Sequence, residues 1–159
     1  MDKLDRISSK IVSLEKYMDS RDRESPAKIV FTNGCFDILH KGHIELLAKA
    51  SDLGDILIVG LNSDESVKRL KGKDRPVQDQ SSRAMVLASL EFVDYVIVFR
   101  EDTPAILIDT IIPDFLVKGG DYNPAEIVGY ETVVQNGGKV LCIDLVKGYS
   151  SSSIIEKIK

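Results

Sequence analysis

Two runs in this chain, Ile56-Leu57-Ile58-Val59 and Tyr95-Val96-Ile97-Val98, are apolar at every position. A strand with one wet face alternates apolar and polar side chains, whereas a strand that is apolar throughout belongs in a parallel sheet covered on both faces. From Lys28 onward such stretches alternate with helix-like ones. The pattern predicts strands over Lys28–Asn33, Asp55–Leu61, Val93–Phe99, Phe115–Lys118 and Lys139–Leu145. Helices are predicted over Ile44–Asp52, Asp64–Leu70, Ser81–Glu91, Pro104–Ile111, Tyr130–Asn136 and Ser151–Ile158. Thr103 reads as an N-cap with proline at the first helical position. Gly137-Gly138 reads as a helix stop. The fold class is therefore α/β, a Rossmann-like doubly wound parallel sheet of about five strands with right-handed crossovers. Ligands of such sheets bind beyond the carboxyl ends of the strands, so functional residues are sought there.

Residues 1–25 stand apart as an N-terminal amphipathic helix and linker, leaving residues 26–159 as one domain. Leu4, Ile7, Ile11, Leu14 and Met18 recur at spacings of three and four and form one apolar helical stripe. A helix this short is marginal alone, so the stripe is expected to pack on the body or across a homodimer. The start of the chain is charged and lacks an apolar h-region, which argues against a secretory signal and for a cytoplasmic protein. No apolar run is long enough to span a membrane. Cys35 and Cys142 are isolated, so neither a zinc site nor a disulfide framework is supported. A net charge of −4 argues against bulk nucleic-acid binding while leaving room for a local basic pocket.

The most informative segment follows the first strand: Thr32-Asn33-Gly34-Cys35-Phe36-Asp37-Ile38-Leu39-His40-Lys41-Gly42-His43. The chain has only two histidines, three residues apart at the start of a helix. There the backbone N–H groups and the helix dipole already favour an anion. Gly34 and Gly42 allow close backbone approach to a phosphate. No third Cys, His or carboxylate is spaced to complete a zinc site with the pair. Further along, Lys68, Arg69, Lys71, Lys73 and Arg75 crowd a glycine-containing loop, which suits either a solvated surface or a phosphate clamp. Lys118-Gly119-Gly120-Asp121 follows the fourth strand. Ser150 to Ser153 open the last helix, as plain caps or as a phosphate cradle.

The segment Gly34–His43 resembles the HxGH signature of the cytidylyltransferase-like nucleotidyltransferases, and Gly148-Tyr149-Ser150-Ser151-Ser152 resembles their second, serine-rich motif. The resemblance covers Lys28 to Lys159 and leaves the N-terminal helix outside. Within the superfamily the chain is most similar to the heptose 1-phosphate adenylyltransferases of lipopolysaccharide precursor synthesis. The segments that carry this are Leu61-Asn62-Ser63-Asp64, Lys68–Gly72, Asp74-Arg75-Pro76-Val77, Glu101-Asp102-Thr103-Pro104 and Leu116–Tyr122. One departure is Leu145, where related glycerol-phosphate cytidylyltransferases carry an arginine; Lys147, Lys118 or Arg83 would have to supply that charge.

The resemblance implies transfer of AMP from ATP to a sugar 1-phosphate, with D-glycero-β-D-manno-heptose 1-phosphate first among acceptors. Pyrophosphate leaves, and Mg²⁺ is held mainly by phosphates and water, with no direct protein ligand. His40, His43 and Lys118 are the expected catalytic residues. The nucleotide site would comprise these with Thr32, Asn33, Gly34, Cys35, Phe36, Gly42, Arg83, Gly119, Asp121, Tyr149, Ser150, Ser151 and Ser152. Asp37, Asn62, Asp64, Lys71, Lys73 and Arg75 are assigned to the acceptor. A phosphate monoester with its second pKa near 6 is already ionised at neutral pH, so no general base is required. The alternatives are a CTP-dependent enzyme acting on glycerol 3-phosphate and a nucleotide-binding sensor without turnover. An NAD-dependent oxidoreductase is disfavoured, because no GxGxxG follows the first strand.

Overall fold

The computed structural model describes all 159 residues. Its centre is a five-stranded, all-parallel sheet of β1 (Ile29–Gly34), β2 (Ile56–Asn62), β3 (Tyr95–Phe99), β4 (Phe115–Gly119) and β5 (Lys139–Ile143). The spatial order is β3-β2-β1-β4-β5. Chain order reverses across β1 and β4, which places the topological switch point, and the crevice it creates, between those two strands.

Successive strand residues feed opposite faces. On one face Val30, Leu57, Val59, Leu61 and Val96 pack on α3 (Lys41–Ser51) and α5 (Gln80–Ser89) through Leu46, Leu47, Ala84 and Leu87. On the other, Phe31, Ile58, Ile97 and Leu116 meet α6 (Ala105–Ile111) and Val133 of α7 (Tyr130–Gln135). The remaining helices of the domain are α4 (Asp64–Lys71) and α8 (Ser151–Ile158). Register at the amino edge is held by a repeated device. Asp55, Asp94 and Asp114 each accept the first free N–H of a neighbouring strand, from Lys28 (2.7 Å), Leu57 (2.8 Å) and Ile29 (2.8 Å).

The N-terminal segment is helical in two pieces, α1 (Lys3–Ser8) and α2 (Leu14–Ser20), where the periodicity predicts one. Between them Ile11 forms a parallel bridge with Val96. Val96 N–H donates to Lys10 O (2.9 Å), and Val12 N–H donates to Val96 O (3.1 Å). The free edge of β3 offers these groups, and pairing with them outweighs continuing the helix, since an open edge strand is a liability. The apolar stripe packs on the body except at Leu4, which is exposed: Ile7 and Ile11 reach one core cluster, Leu14 and Met18 the other. Tyr17 is buried edge-on against Tyr95, with ring centroids 5.0 Å apart. α6 also departs from expectation: Pro104 takes the cap position, and Thr103 Oγ1 lies 3.5 Å from Ala105 N.

Candidate active site

At the carboxyl edge of the sheet two cavities adjoin, sharing Asn33, Gly34 and Cys35 at the end of β1 and Lys118 in β4. The smaller, about 160 Å³, is lined by His43, Lys71, Gly119, Leu145 and Ser151 among others. The larger, about 370 Å³, extends to Asn62, Asp102, Thr103, Tyr122, Asn123 and Glu126.

The histidine pair is built by the helix that begins there. α3 starts three residues earlier than the pattern predicts, so His40 is its N-cap and His43 its third residue. His40 Nδ1 accepts from Gly42 N–H (3.1 Å), and His43 Nδ1 accepts from His40 N–H (3.4 Å), a capping box made of imidazoles. With both Nδ1 atoms accepting, each ring carries its proton on Nε2 and presents a donor. The rings stack with centroids 3.8 Å apart, and Phe36 meets His43 edge-on. Burial lowers the pKa of His40; burial, then His40 and Lys71, push that of His43 down to about 4. At neutral pH His43 is therefore an uncharged hydrogen-bond donor. Gly42 has a reason beyond phosphate approach: a Cβ there would lie 3.0 Å from the His40 ring.

The last helix docks against this loop as the second wall. Ser151 Oγ donates to Ile38 O at 2.9 Å, and Ser150 caps α8 by accepting from Ser153 N–H at 3.0 Å. Ser152 is exposed. The Tyr149 ring lies 6.2 Å from that of His40. Gly119 fits between Leu46 and Leu145, where a Cβ would come within 2.9 Å of each.

Several residues sit elsewhere than the sequence suggests. Arg83, expected at the triphosphate, is fully buried. Its guanidinium donates to Gln78 O (3.0 Å), Cys35 O (2.7 Å), Asn62 O (2.8 Å) and Asp64 Oδ1 (2.7 Å). It thus braces the ends of β1 and β2. Asp64 is correspondingly occupied. Asp37, assigned to the acceptor, is buried at the wall of the smaller cavity, and its carboxylate takes the N–H groups of Val77 and Gln78 and Arg75 Nε (2.7 Å). Burial alone would raise its pKa, but those backbone N–H groups and Arg75 outweigh it and hold the carboxyl below its ordinary value. The Asp37–Arg75 pair therefore clamps the 75–78 loop onto the end of β1. Thr32 is buried within β1. Lys73 and Asp121 are exposed and line neither cavity. Lys118 and Lys71 are the cations that line the smaller cavity, and burial raises the pKa of the adjoining Cys35 thiol even against Lys71, Arg83 and Arg75. The sequence assigns no site role to Asp102, Thr103, Asn123 and Glu126, although all follow the ends of β3 and β4, where a parallel sheet presents ligands.

The family model described as cytidylyltransferase-like matches residues 31–157. The chain is 56% identical over 153 residues to bifunctional protein HldE of Helicobacter hepaticus, covering 96% of this chain and 31% of that protein. Against HldE of Helicobacter pylori the identity is 55% over 157 residues, 98% of this chain and 32% of the other. The chain thus spans about a third of the length of these relatives, and the similarity takes in the N-terminal segment that the motifs had left outside. Among solved structures, a lipopolysaccharide core biosynthesis protein from Thermoplasma volcanium superposes with TM-score 0.62 at 31% identity, over 78% of this chain and 99% of that one. Pantothenate synthetase from Thermus thermophilus shares the fold, with TM-score 0.63 at 16% identity, over 91% of this chain and 67% of that one.

Proposed function

Because the chain belongs to the cytidylyltransferase-like family, we propose that it is a nucleotidyltransferase joining AMP from ATP to a sugar 1-phosphate, with D-glycero-β-D-manno-heptose 1-phosphate as the acceptor. Its similarity to HldE and to a lipopolysaccharide core biosynthesis protein supports the choice of acceptor. The observation that carries the reading is the pair of stacked imidazoles with Nε2–H donors, of which His43 lines the smaller, cationic cavity that adjoins the larger one.

ATP enters as its Mg²⁺ complex, with the α-phosphate beside His43 and Lys118 at the junction of the cavities. The sugar phosphate lies in the larger cavity. One of its phosphate oxygens attacks the α-phosphorus, the bond from that phosphorus to the α–β bridging oxygen breaks, and pyrophosphate leaves with the electron pair. The nucleophile is ionised at neutral pH, so the protein supplies position and charge rather than a base. His40 and His43 donate to oxygens on which charge grows, and Lys71 and Lys118 offset the charge of the triphosphate. The transfer chemistry is assigned to residues 26–159, with residues 1–25 covering the β3 edge.

The test is pyrophosphate release with Mg²⁺, crossing ATP and CTP against the heptose 1-phosphate and glycerol 3-phosphate. Turnover with ATP and the heptose phosphate is expected. Turnover only with CTP and glycerol phosphate overturns the substrates, and silence in all four overturns the reading.

A further inference from the structure

The segment Asp102-Thr103-Pro104 has no part in the phosphate chemistry, yet it forms a wall of the larger cavity shortly after β3. That cavity's lining contains two carboxylates, Asp102 and Glu126, and three asparagines, against a single cation, Lys118. A lining that binds phosphate collects cations. Carboxylates and amide oxygens instead accept hydrogen bonds from hydroxyl groups. Within that lining Lys118 is suited to a phosphate, and Asp102 and Glu126 to hydroxyl groups.

Asp102 is held rather than free. Arg69 Nε donates to its Oδ1 at 2.8 Å, and Arg69 Nη2 donates to the carbonyl of Arg100. One turn earlier on α4, Ser66 Oγ donates to Glu101 O at 3.0 Å and itself accepts from Asn62 Nδ2 at 2.9 Å. α4 thus grips the backbone after β3 at two points. Asp102 Oδ2 takes no hydrogen bond from the protein. The ion pair is exposed, 48% for Arg69 and 67% for Asp102, so it adds little to stability. Its geometry serves the cavity.

We propose, on the reading of the larger cavity as the acceptor site, that Asp102 is a specificity-determining residue that accepts a hydrogen bond from a sugar hydroxyl through Oδ2. Arg69 is the positioning residue that holds the carboxylate in the orientation this requires. The acceptor class is a polyhydroxylated sugar phosphate, not a short polyol phosphate that ends before reaching Asp102.

The experiment measures binding of D-glycero-β-D-manno-heptose 1-phosphate, glucose 1-phosphate, glycerol 3-phosphate and ATP by titration calorimetry to wild type, Asp102→Ala, Arg69→Ala and Arg69→Lys. KM and kcat are measured for whichever acceptor turns over. Asp102→Ala is expected to weaken sugar-phosphate binding about tenfold or more, the loss of one hydrogen bond to a charged group. Its ATP affinity and urea midpoint stay in place. Arg69→Ala is expected to raise KM for the sugar phosphate about threefold to tenfold with kcat little changed, and Arg69→Lys to recover part of that loss. Sugar-phosphate affinity unchanged in Asp102→Ala, or ATP affinity lost in parallel, overturns the proposal. If wild type binds glucose 1-phosphate but not the heptose phosphate, and Asp102→Ala loses that binding, the heptose reading fails and the role of Asp102 stands. If wild type binds neither sugar phosphate, both fail.

Discussion

A histidine held neutral inside a fold leaves a signature in the pH dependence of stability. His43 titrates near 4 in the folded chain against about 6.5 in an unfolded one. Between those values the unfolded chain binds a proton that the folded chain refuses, so stability falls as pH drops through that window. For one such group the loss between pH 7 and pH 5 is at most about 2 kcal/mol; part of the ring faces solvent, and about 1.5 kcal/mol is the working figure. His43→Asn is the clean perturbation, because asparagine Oδ1 takes the place of Nδ1 as acceptor for His40 N–H and cannot titrate. Urea unfolding of both proteins at pH 7 and pH 5 isolates the contribution, since every other titrating group cancels in the difference. With an m-value of about 2 kcal/mol/M, the gap between the two midpoints should change by about 0.8 M over that range. Midpoints that move in parallel would refute the claim that His43 is a neutral donor. The same variant loses the Nε2–H donor, and its turnover should fall about 10²–10³-fold at neutral pH.

Three further outcomes follow from the geometry. Arg83→Met strands the carbonyls of Cys35, Asn62 and Gln78 in a buried site and should cost about 3 kcal/mol or more in urea unfolding; a loss under about 1 kcal/mol would show that the guanidinium is not a brace. Gly42→Ala puts a methyl 3.0 Å from the His40 ring, so turnover should drop at least about tenfold while helix propensity keeps stability within about 1 kcal/mol; undiminished turnover contradicts the ring-packing role. Tyr17→Ala removes a buried ring that anchors the N-terminal segment and should cost about 3 kcal/mol in thermal or urea unfolding; a cost below about 1 kcal/mol would mean the segment is not anchored through it.

The strands were legible because a sheet buried on both faces leaves runs such as Ile56–Val59 that nothing else explains. That His43, Gly119, Lys118 and Ser151 lie around one cavity is legible because each follows a strand end or opens the helix beside it. The role of Arg83 was not read, although a sign of it exists: Arg83, Ala84, Leu87 and Ala88 share one helical face, and that face is buried. A charge on an apolar face signals a bracing residue more than a ligand. The contacts that hold Asp37 at the wall of the smaller cavity are not legible for another reason. Its partners, Val77, Gln78 and Arg75, lie about forty residues along the chain, and no local pattern announces them. The break between α1 and α2 is likewise set from outside, by the edge of β3.

The charges at the strand ends sort into two sets with different work. Arg83 is spent inside the protein on Asp64 and on backbone carbonyls, and Arg75 pairs with Asp37 through Nε while its buried Nη2 has no partner within the chain. Lys71 and Lys118, compact charges on flexible stems, line the smaller cavity, and neither has a carboxylate partner. A guanidinium fork binds a phosphate at fixed geometry, whereas an ammonium can follow one that moves. In the proposed transfer the α-phosphate changes partners and the pyrophosphate must depart. On that proposal fixed donors are needed only at the α-phosphate, the role assigned to the histidines, whose rings are locked by their own backbone. Had the imidazoles been charged, their 3.8 Å stack would carry two like charges in contact, and the geometry that aims both Nε2–H groups would be lost. Neutrality of the pair is thus a condition of its shape, and the lysines supply the charge that the pair withholds.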